Sequence, residues 1–189
     1  MIELVPYRES WTEDFAKIRR DLLSISGHRI LRVDHVGSTA IPGMMAKDIM
    51  DVQVGVACFA DVETFSAALE NLGYDRIATI QQDHAPGHEF EECVAGWEKR
   101  FFKASPAHRT ANLHVRLVTG KNFEFALLFR DYLRQHAEAA RAYEQVKTRL
   151  AEALPHNLKA YALIKDPVCD LIFFMAKKWA AETHCDLLR

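Results

Sequence analysis

The sequence predicts an α+β fold, with a mixed β-sheet and flanking helices over about residues 1–120 and a helical part over about residues 121–189. Two observations lead to this prediction. Apolar and polar residues alternate in two segments of the first part, which is typical of strands with one buried face. From residue 122 onward, apolar residues recur every three or four positions, which is typical of helices. No repeat, low-complexity segment or linker divides the chain, so we expect a single domain over residues 1–189.

Composition and charge argue against several classes of protein. The chain has 189 residues, is 49% hydrophobic and carries a formal net charge of −2, so we expect one ordinary core and no extended surface for nucleic acids. The four cysteines form no C-x-x-C pair, which argues against a disulfide framework or a zinc cage. The sequence shows no membrane helix and no signal peptide. We therefore expect a cytoplasmic protein without a membrane partner, and the oligomeric state stays open.

The N-terminal segment predicts a helix followed by a strand. Ser10 and Glu13 have the spacing of a capping box, and Gly27 is suited to end the helix in a left-handed conformation. Residues 30–36 then have the composition of a strand. The apolar residues of the helix recur at spacings of four, three and four and form one stripe: Trp11, Phe15, Ile18 and Leu22.

The next predicted strand brings two polar side chains to one face. Within residues 49–56, apolar and other residues alternate, so Asp51 and Gln53 lie opposite the apolar face. A second helix is predicted after this strand, capped by Asp61 and ended at Gly73. The apolar face of the strand consists of Met50, Val52, Val54 and Val56.

The middle of the chain is less regular. Residues 81–96 have no hydrophobic period, and we interpret them as a mobile loop or an irregular crossover. Two strands are predicted after it, at 100–103 and 113–118. In the second strand His114 alternates with apolar neighbours, and we expect its face of the sheet to be the one that carries Asp51.

The last third of the chain predicts helices. One apolar stripe spans residues 125–133, and another spans 143–154 and ends before Pro155. A further helix is expected to begin at Asp166 and Pro167, because proline at the first helical position loses no hydrogen bond and aspartate can cap the turn.

The sharpest functional signal lies where the first strand ends. Gly37 and Ser38 form a turn at which backbone amides and a hydroxyl can approach phosphate oxygens, because glycine has no side chain to block them. Lys47 could pair with a phosphate, and Asp51 offers a carboxylate of the kind that holds Mg²⁺ in phosphoryl transfer. The alternatives are an ordinary tight turn and a solvated loop lysine.

Several motifs together resemble the GrpB family. They are the run HVGSTAIPGMMAKDIMDVQVGV at 35–56, RFFK at 100–103, NLHV at 112–115, LLFRDYLRQH at 127–136 and the pair Tyr161-x-x-x-Lys165. The resemblance covers nearly the whole chain. GrpB proteins are similar to the nucleotidyltransferase superfamily, so the resemblance implies a nucleotidyltransferase-like sheet and a site for a nucleotide or another anionic small molecule.

The resemblance also implies roles for individual residues. The superfamily's glycine–serine pair falls on Gly37 and Ser38, and its first metal-binding aspartate falls on Asp51. The second acidic position falls on Gln53 and the third falls near His114. An amide and an imidazole make a poorer Mg²⁺ site than two carboxylates, so a softer metal that accepts a histidine, such as Mn²⁺ or Zn²⁺, is the alternative.

Candidate roles follow for the remaining polar residues. Lys47 and Asp51 are the candidate catalytic residues. Thr39, Arg100 and Lys165 join the glycine–serine pair as candidate phosphate-binding residues, Arg100 because its planar guanidinium suits an anion. For Lys165 the alternative is a lysine that only packs along its helix.

Two classes of function stay open. The first is a nucleotidyltransferase that transfers a nucleotidyl group with a divalent metal. The second is a regulatory module that binds a nucleotide or another anion and has lost its catalytic activity. Gln53 and His114 favour the second class, whereas the many polar residues on one sheet face favour the first.

Overall fold

The computed structural model describes residues 1–88 and 92–183. Within these residues the chain forms an α+β fold with one five-stranded sheet and five α-helices, which confirms the predicted fold class. The elements, in chain order, are α1 (Ser10–Ile25), β1 (Ile30–Val36), β2 (Met50–Val56), α2 (Phe59–Asn71), β3 (Tyr74–Arg76), β4 (Arg100–Ala104), β5 (Ala111–Leu117), α3 (Lys121–Gln135), α4 (Ala137–Ala153) and α5 (Leu158–Thr183).

The sheet is mixed and has the strand order β1-β2-β5-β4-β3. Strands β2 and β5 are parallel, and the other neighbouring strands are antiparallel. The strand β3 was not predicted, because three residues are too few to show an alternation.

The register of the sheet gathers polar side chains on one face. Asp51 lies opposite Asn112, and Gln53 lies opposite His114. Directly opposed residues in neighbouring strands point to the same side of a sheet. The prediction that the polar residues of β5 share a face with Asp51 is therefore confirmed.

Each face of the sheet packs against different helices. The apolar residues of β2 and β5 pack with α1 and α2 in the first core, which includes Trp11 and Phe102. The helices α3, α4 and α5 form the second core, which includes Leu133 and Phe173. A small third cluster around Phe123 lies between the two cores and joins α3 to the sheet.

Two predicted helix caps are not formed. The helix α1 begins at Ser10, as expected, but its N-cap residue is Glu9 and no side chain caps it. The capping box is absent because Ser10 already lies within the first turn. The N-cap residue of α2 is Cys58, so Asp61 lies in the first turn. Its negative charge there interacts favourably with the positive end of the helix dipole.

The predicted helix start at Pro167 is wrong. The helix α5 runs from Leu158 to Thr183 with Pro167 inside it. Tyr161 and Cys169, on either side of the proline, are both buried, and Cys169 belongs to the second core. This packing holds one continuous helix even though proline lacks the amide hydrogen of a regular turn.

The irregular segment between β3 and β4 is a crossover fastened to the sheet. Gln82 and Glu98 form an isolated antiparallel bridge, and Asp83 N donates to Trp97 O at 2.9 Å. These bonds support the interpretation of an irregular crossover for the described residues 81–88 and 92–96. Residues 89–91 lie outside the described part.

None of the helices in residues 1–88 and 92–183 combines the length and the apolar composition needed to cross a membrane.

Candidate functional site

A cleft of about 340 Å³ lies between the polar face of the sheet and the helices α3, α4 and α5. Most of the residues selected from the sequence line it. The structure brings together Gly37, Ser38, Thr39, Lys47, Asp51, His114 and Lys165. The two that it does not bring into the cleft are Gln53, which lies beneath the cleft floor, and Arg100, which lies elsewhere.

The turn after β1 is built around a close approach to Asp51. Gly37 has a φ of 72°, and a Cβ atom there would lie 2.7 Å from Asp51 Oδ2. Only glycine fits both the positive φ and the short distance. The residues Ser38–Ala40 then form a single 3-10 turn beside the carboxylate.

Buried polar contacts stabilise this turn on the side that faces away from the cleft. His35 Nε2 lies 2.9 Å from Thr39 Oγ1, and the imidazole stacks on Phe15 at 5.0 Å between ring centroids. Arg134 donates two hydrogen bonds to Ala40 O, at 2.9 and 2.7 Å. Burial and the nearby Arg134 lower the pKa of His35 to about 4, so the imidazole is neutral at pH 7. His35 thus supports the turn and does not face the cleft.

Asp51 is the carboxylate of the cleft floor. Its side chain is 35% exposed, and its Oδ1 accepts hydrogen bonds from Asn112 Nδ2 at 3.0 Å and from His114 Nε2 at 3.4 Å. Burial by itself would raise the pKa of Asp51, but the hydrogen bonds from His114 and Asn112 lower it below its usual value. Asp51 is therefore ionised at neutral pH.

The hydrogen-bond partners of His114 determine which of its ring nitrogens carries the proton. Its Nδ1 lies 3.4 Å from both Lys99 Nζ and Arg116 Nη2, two groups that can only donate. Nδ1 must therefore accept, and the proton of the neutral ring lies on Nε2, toward Asp51. Burial and the charge of Lys99 lower the pKa of His114, which favours this neutral form.

Asp83 anchors two basic residues at the floor of the cleft, Lys99 and Arg116, of which Arg116 lines the cleft. Its Oδ1 accepts from Lys99 Nζ at 2.6 Å, and its Oδ2 accepts from Arg116 Nε at 2.8 Å and from Asn122 Nδ2 at 3.0 Å. Burial would raise the pKa of Asp83, but the two cations lower it far below its usual range. Sequence reasoning missed Asp83, because it lies in the segment without a period, far along the chain from its partners.

Gln53 does not point into the cleft. It is 0% exposed, its Oε1 accepts from Arg116 Nη1 at 2.6 Å, and its Nε2 donates to Phe123 O at 3.3 Å. Apart from residues 89–91 and 184–189, no three His, Cys, Asp or Glu side chains are placed to hold a metal ion. One carboxylate, with its amide and imidazole neighbours already hydrogen-bonded, does not fit the oxygen-rich ligand set of Mg²⁺.

Three lysines line the opposite side of the cleft. Lys47 and Lys165 were selected from the sequence, and the structure adds Lys147 from α4. Lys147 is 3% exposed and donates to Met45 O at 2.5 Å. Burial lowers its pKa to about 8, the charge of Glu144 opposes this shift, and the charges of Lys165 and Lys47 add to it. From the sequence, Lys147 looks like an ordinary charge on a helix surface.

The lysines lie beside aromatic rings. Lys47 Nζ lies 5.7 Å from the centroid of the Tyr161 ring. Lys165 Nζ lies 3.3 Å from Asp166 Oδ1 and 3.3 Å from Cys169 Sγ, one turn along α5. The apolar end of the cleft is formed by Phe125, Phe129 and Tyr143.

Arg100 lies on the other face of the sheet. It is opposite Val115 in the register, and its guanidinium lies 4.3 Å from the centroid of the Phe59 ring in α2. The alternation along β4 instead turns Phe101 toward His114, whose ring centroid lies 5.1 Å away. The residue of this segment that reaches the buried polar group is Lys99. The sequence favoured Arg100 over Lys103 as the cation that points at the cleft, whereas the register pairs Lys103 with Asn112 on the polar face.

Known proteins are similar to this chain over most of its length. The GrpB protein family model matches residues 1–174. A dephospho-CoA kinase of Mycolicibacterium paratuberculosis is 33% identical over 96% of this chain, but the chain spans only 47% of that protein. The glutamate-rich protein GrpB of Alkalihalophilus pseudofirmus is 32% identical over 89% of this chain and 92% of that protein.

A solved structure agrees with these matches. The crystal structure of the conserved protein GrpB from Enterococcus faecalis has a TM-score of 0.77 and 29% identity with this chain, and the match covers 94% of this chain and 99% of that one. The cleft residues from Gly37 to Lys165 lie within the range that the family model matches. The chain belongs to the GrpB family.

Proposed function

We propose that this protein binds a nucleotide or another phosphate-bearing small molecule in the cleft. The observation that carries the proposal is that Lys47, Lys147 and Lys165 surround one cleft whose wall is the turn at Gly37 and Ser38. Ammonium groups and an open glycine turn are both suited to phosphate oxygens.

Within the described residues the cysteines are free thiols, which supports the expected cytoplasmic location.

The electrostatics of the cleft support an anion as the ligand. Burial lowers the pKa of Lys47, the charge of Asp51 raises it, and the charge of Lys165 lowers it. The pKa of Lys165 is instead raised, because Tyr143, Cys169 and Asp166 outweigh its burial. Without a ligand, Lys47 and Lys147 are therefore repelled by their neighbouring ammonium groups, and a bound anion would relieve that repulsion. Within the described residues, Lys47 and Lys147 take part in no ion pair with a carboxylate.

Nucleotidyl transfer is the less supported function. It would need a divalent metal, and the residues next to Asp51 do not fit one, since Gln53 and His114 are held by Arg116. The binding and regulatory function needs no such metal and is the one that this geometry favours. Release of pyrophosphate from a nucleoside triphosphate in the presence of Mn²⁺, lost in Asp51→Asn, would favour transfer instead.

The kinase name of some relatives is not transferred to this chain. The chain spans 47% of the dephospho-CoA kinase of Mycolicibacterium paratuberculosis, so the name describes a protein about twice as long. The sequence of this chain contains no G-x-x-x-x-G-K-[S/T] motif, the loop with which many kinases hold nucleotide phosphates. A longer protein in which such a phosphate-binding module is joined to a kinase is consistent with the binding function that we propose for this chain.

A ligand-induced rise in melting temperature tests the proposal. AMP, ATP and inorganic phosphate are added at millimolar concentration, with and without divalent metal. A ligand at 100 times its Kd stabilises the folded state by about 2.7 kcal/mol. We expect the rise to be lost in Lys47→Met and kept in the control Lys178→Met, whose side chain is 72% exposed in α5. No rise with any of the three compounds would overturn the proposal.

A further inference from the structure

The polar groups that surround Asp51 donate hydrogen bonds to it. Asn112 Nδ2 lies 3.0 Å and His114 Nε2 lies 3.4 Å from Asp51 Oδ1. Both groups present hydrogens, since the Nδ1 partners of His114 place its proton on Nε2. A divalent cation needs lone pairs from its ligands. Both groups would have to turn or lose protons before a cation could share them with Asp51.

The guanidinium of Arg116 already donates hydrogen bonds to the acceptor atoms that a metal ion would need as ligands. Arg116 donates to Gln53 Oε1 at 2.6 Å and to Asp83 Oδ2 at 2.8 Å, and its Nη2 lies 3.4 Å from His114 Nδ1. Arg116 is 6% exposed, and its guanidinium is permanently charged. A metal ion next to it would meet a like charge at short range.

The net charge around the cleft matches a phosphate monoester. Five cations lie in or next to the cleft, and three carboxylates lie among them: Lys47, Lys99, Arg116, Lys147 and Lys165, with Asp51, Asp83 and Asp166. Lys165 is paired with Asp166, and Lys99 and Arg116 share Asp83, so two positive charges remain among these eight side chains. A phosphate monoester carries about −1.5 to −2 at pH 7. A triphosphate carries more negative charge than these groups neutralise, and it usually brings Mg²⁺ for that purpose.

Aromatic rings border the lysines and indicate the organic part of the ligand. Phe129 and Tyr143 meet edge to face at 5.4 Å between centroids, and Tyr161 lies beneath Lys47. Such rings favour a planar organic group. The volume of about 340 Å³ lies within the range of about 300–1,000 Å³ that small-molecule sites occupy.

We propose that the cleft takes a phosphate monoester with an aromatic organic part, such as a nucleoside monophosphate, and holds it without a divalent metal. This inference rests on the proposed function and narrows it. The three lysines neutralise the phosphate, and Arg116 occupies the acceptor atoms of Gln53 and His114 that a metal would need.

Calorimetric titration of the full chain tests the ligand class. Adenosine, AMP and ATP are titrated in EDTA, and AMP and ATP also in Mg²⁺. We expect AMP to bind about tenfold or more tightly than adenosine, which lacks the charged group. We also expect Mg²⁺ to leave the AMP affinity unchanged within a factor of about two and the affinity of Mg²⁺-ATP to stay below that of AMP. Tighter binding of Mg²⁺-ATP than of AMP would overturn the inference.

The variant Asp51→Asn gives results of opposite sign for the two kinds of site. In a site without metal, loss of the carboxylate removes a repulsion and AMP binds more tightly, by about fivefold. In a site with a metal bridge, the same change removes a ligand and weakens binding. Asp75→Asn, at an exposed position on β3, is the matched control and should leave the affinity unchanged. Weaker AMP binding by Asp51→Asn would overturn the inference.

The lysine variants separate the inference from the proposal on which it rests. Lys147→Met should weaken AMP binding about tenfold or more, whereas Lys178→Met, whose side chain is 72% exposed in α5, should not. Lys47→Met gives the same test at a half-buried loop position if Lys147→Met does not fold. Binding that requires Mg²⁺ overturns this inference and leaves phosphate binding intact. Binding of no nucleotide under either condition overturns both.

Discussion

Single residues at the floor of the cleft are constrained by their neighbours more than by their own element. Gly37 has to be glycine because Asp51 Oδ2 occupies the space of its side chain. Lys99 and Arg116 are buried cations that depend on Asp83. These contacts join residues that are distant in the sequence, and each can be tested by one substitution.

Gly37→Ala should be far more harmful than Gly43→Ala. Both glycines have a positive φ, of 72° and 79°, so alanine is strained at both positions. Gly37 also has a ψ of −171°, a conformation essentially restricted to glycine, which costs another residue about 1–3 kcal/mol. At Gly43 nothing lies within 4 Å of the new Cβ, whereas at Gly37 it would lie 2.7 Å from Asp51 Oδ2. We expect a total loss of about 3 kcal/mol of unfolding free energy for Gly37→Ala in urea titrations. Equal losses in the two variants would contradict the close approach.

His35 should make the protein less stable in mild acid. Its pKa is lowered from 6.5 to about 4 in the folded state, so the unfolded chain binds more protons between these values. The stabilisation from the neutral ring is complete above pH 6.5 and is lost as the pH falls through about 4, a change of about 3 kcal/mol.

Urea titrations at several pH values measure this effect, with His35→Gln as the comparison. The variant should lose most of the pH dependence between pH 4 and 6.5. An unchanged pH dependence would show that other groups are responsible.

At the scale of elements, Asp83 attaches the segment between β3 and β4 to the sheet and to α3, while His84 and Gly87 of the same segment bind Asp170 of α5. Asp83 links this segment to Lys99 just before β4, to Arg116 in β5 and to Asn122 in α3. The segment has little regular structure, so these bonds replace the ladder that a strand would provide.

Asp83→Ala should therefore destabilise the fold, whereas Asp75→Ala should not. The first change leaves Lys99 and Arg116 buried without a counter-charge, at a cost of about 3 kcal/mol or more. Asp75 is exposed on β3, and its loss should change the unfolding free energy by no more than about 0.5 kcal/mol. Chemical denaturation of both variants at pH 7 measures the difference. A loss below about 1 kcal/mol for Asp83→Ala would mean that water replaces the carboxylate.

At the scale of the whole molecule, the cleft is a boundary between two cores. Its floor comes from the sheet and its opposite wall comes from α4 and α5. The helix α3 contacts β1, β2 and β5 as well as α4 and α5, so it joins the two parts. If the chain is a single domain, as the sequence predicts, the two cores should unfold as one cooperative unit.

We predict that both cores unfold in one transition. Trp11 lies in the first core and Trp179 packs against the second, so each can report on its own part in a variant that keeps it as the sole tryptophan. The two fluorescence midpoints in urea should coincide. Separate midpoints would show two domains, and the matching experiment with AMP present would then show whether the ligand couples them.

The sequence by itself determined the elements that have a clear hydrophobic period. The strands β1, β2 and β5, the helix α1 and the helical character of the last third follow from local alternation and spacing, as does the common face of Asp51 and His114. These features are readable because a strand or an amphipathic helix imposes its period on consecutive residues. The resemblance to the GrpB family was confirmed as well.

Only the tertiary structure decided which charged residues share the site. Lys147 joined Lys47 and Lys165, Asp83 supplied the buried counter-charge, and Arg100 was placed on the opposite face. The helix start at Pro167 was likewise overruled by packing on both sides of it. Local sequence fixes how a residue is oriented within its element, but the partners of a charge depend on where distant elements come to lie, and that is settled by the packing of the two cores.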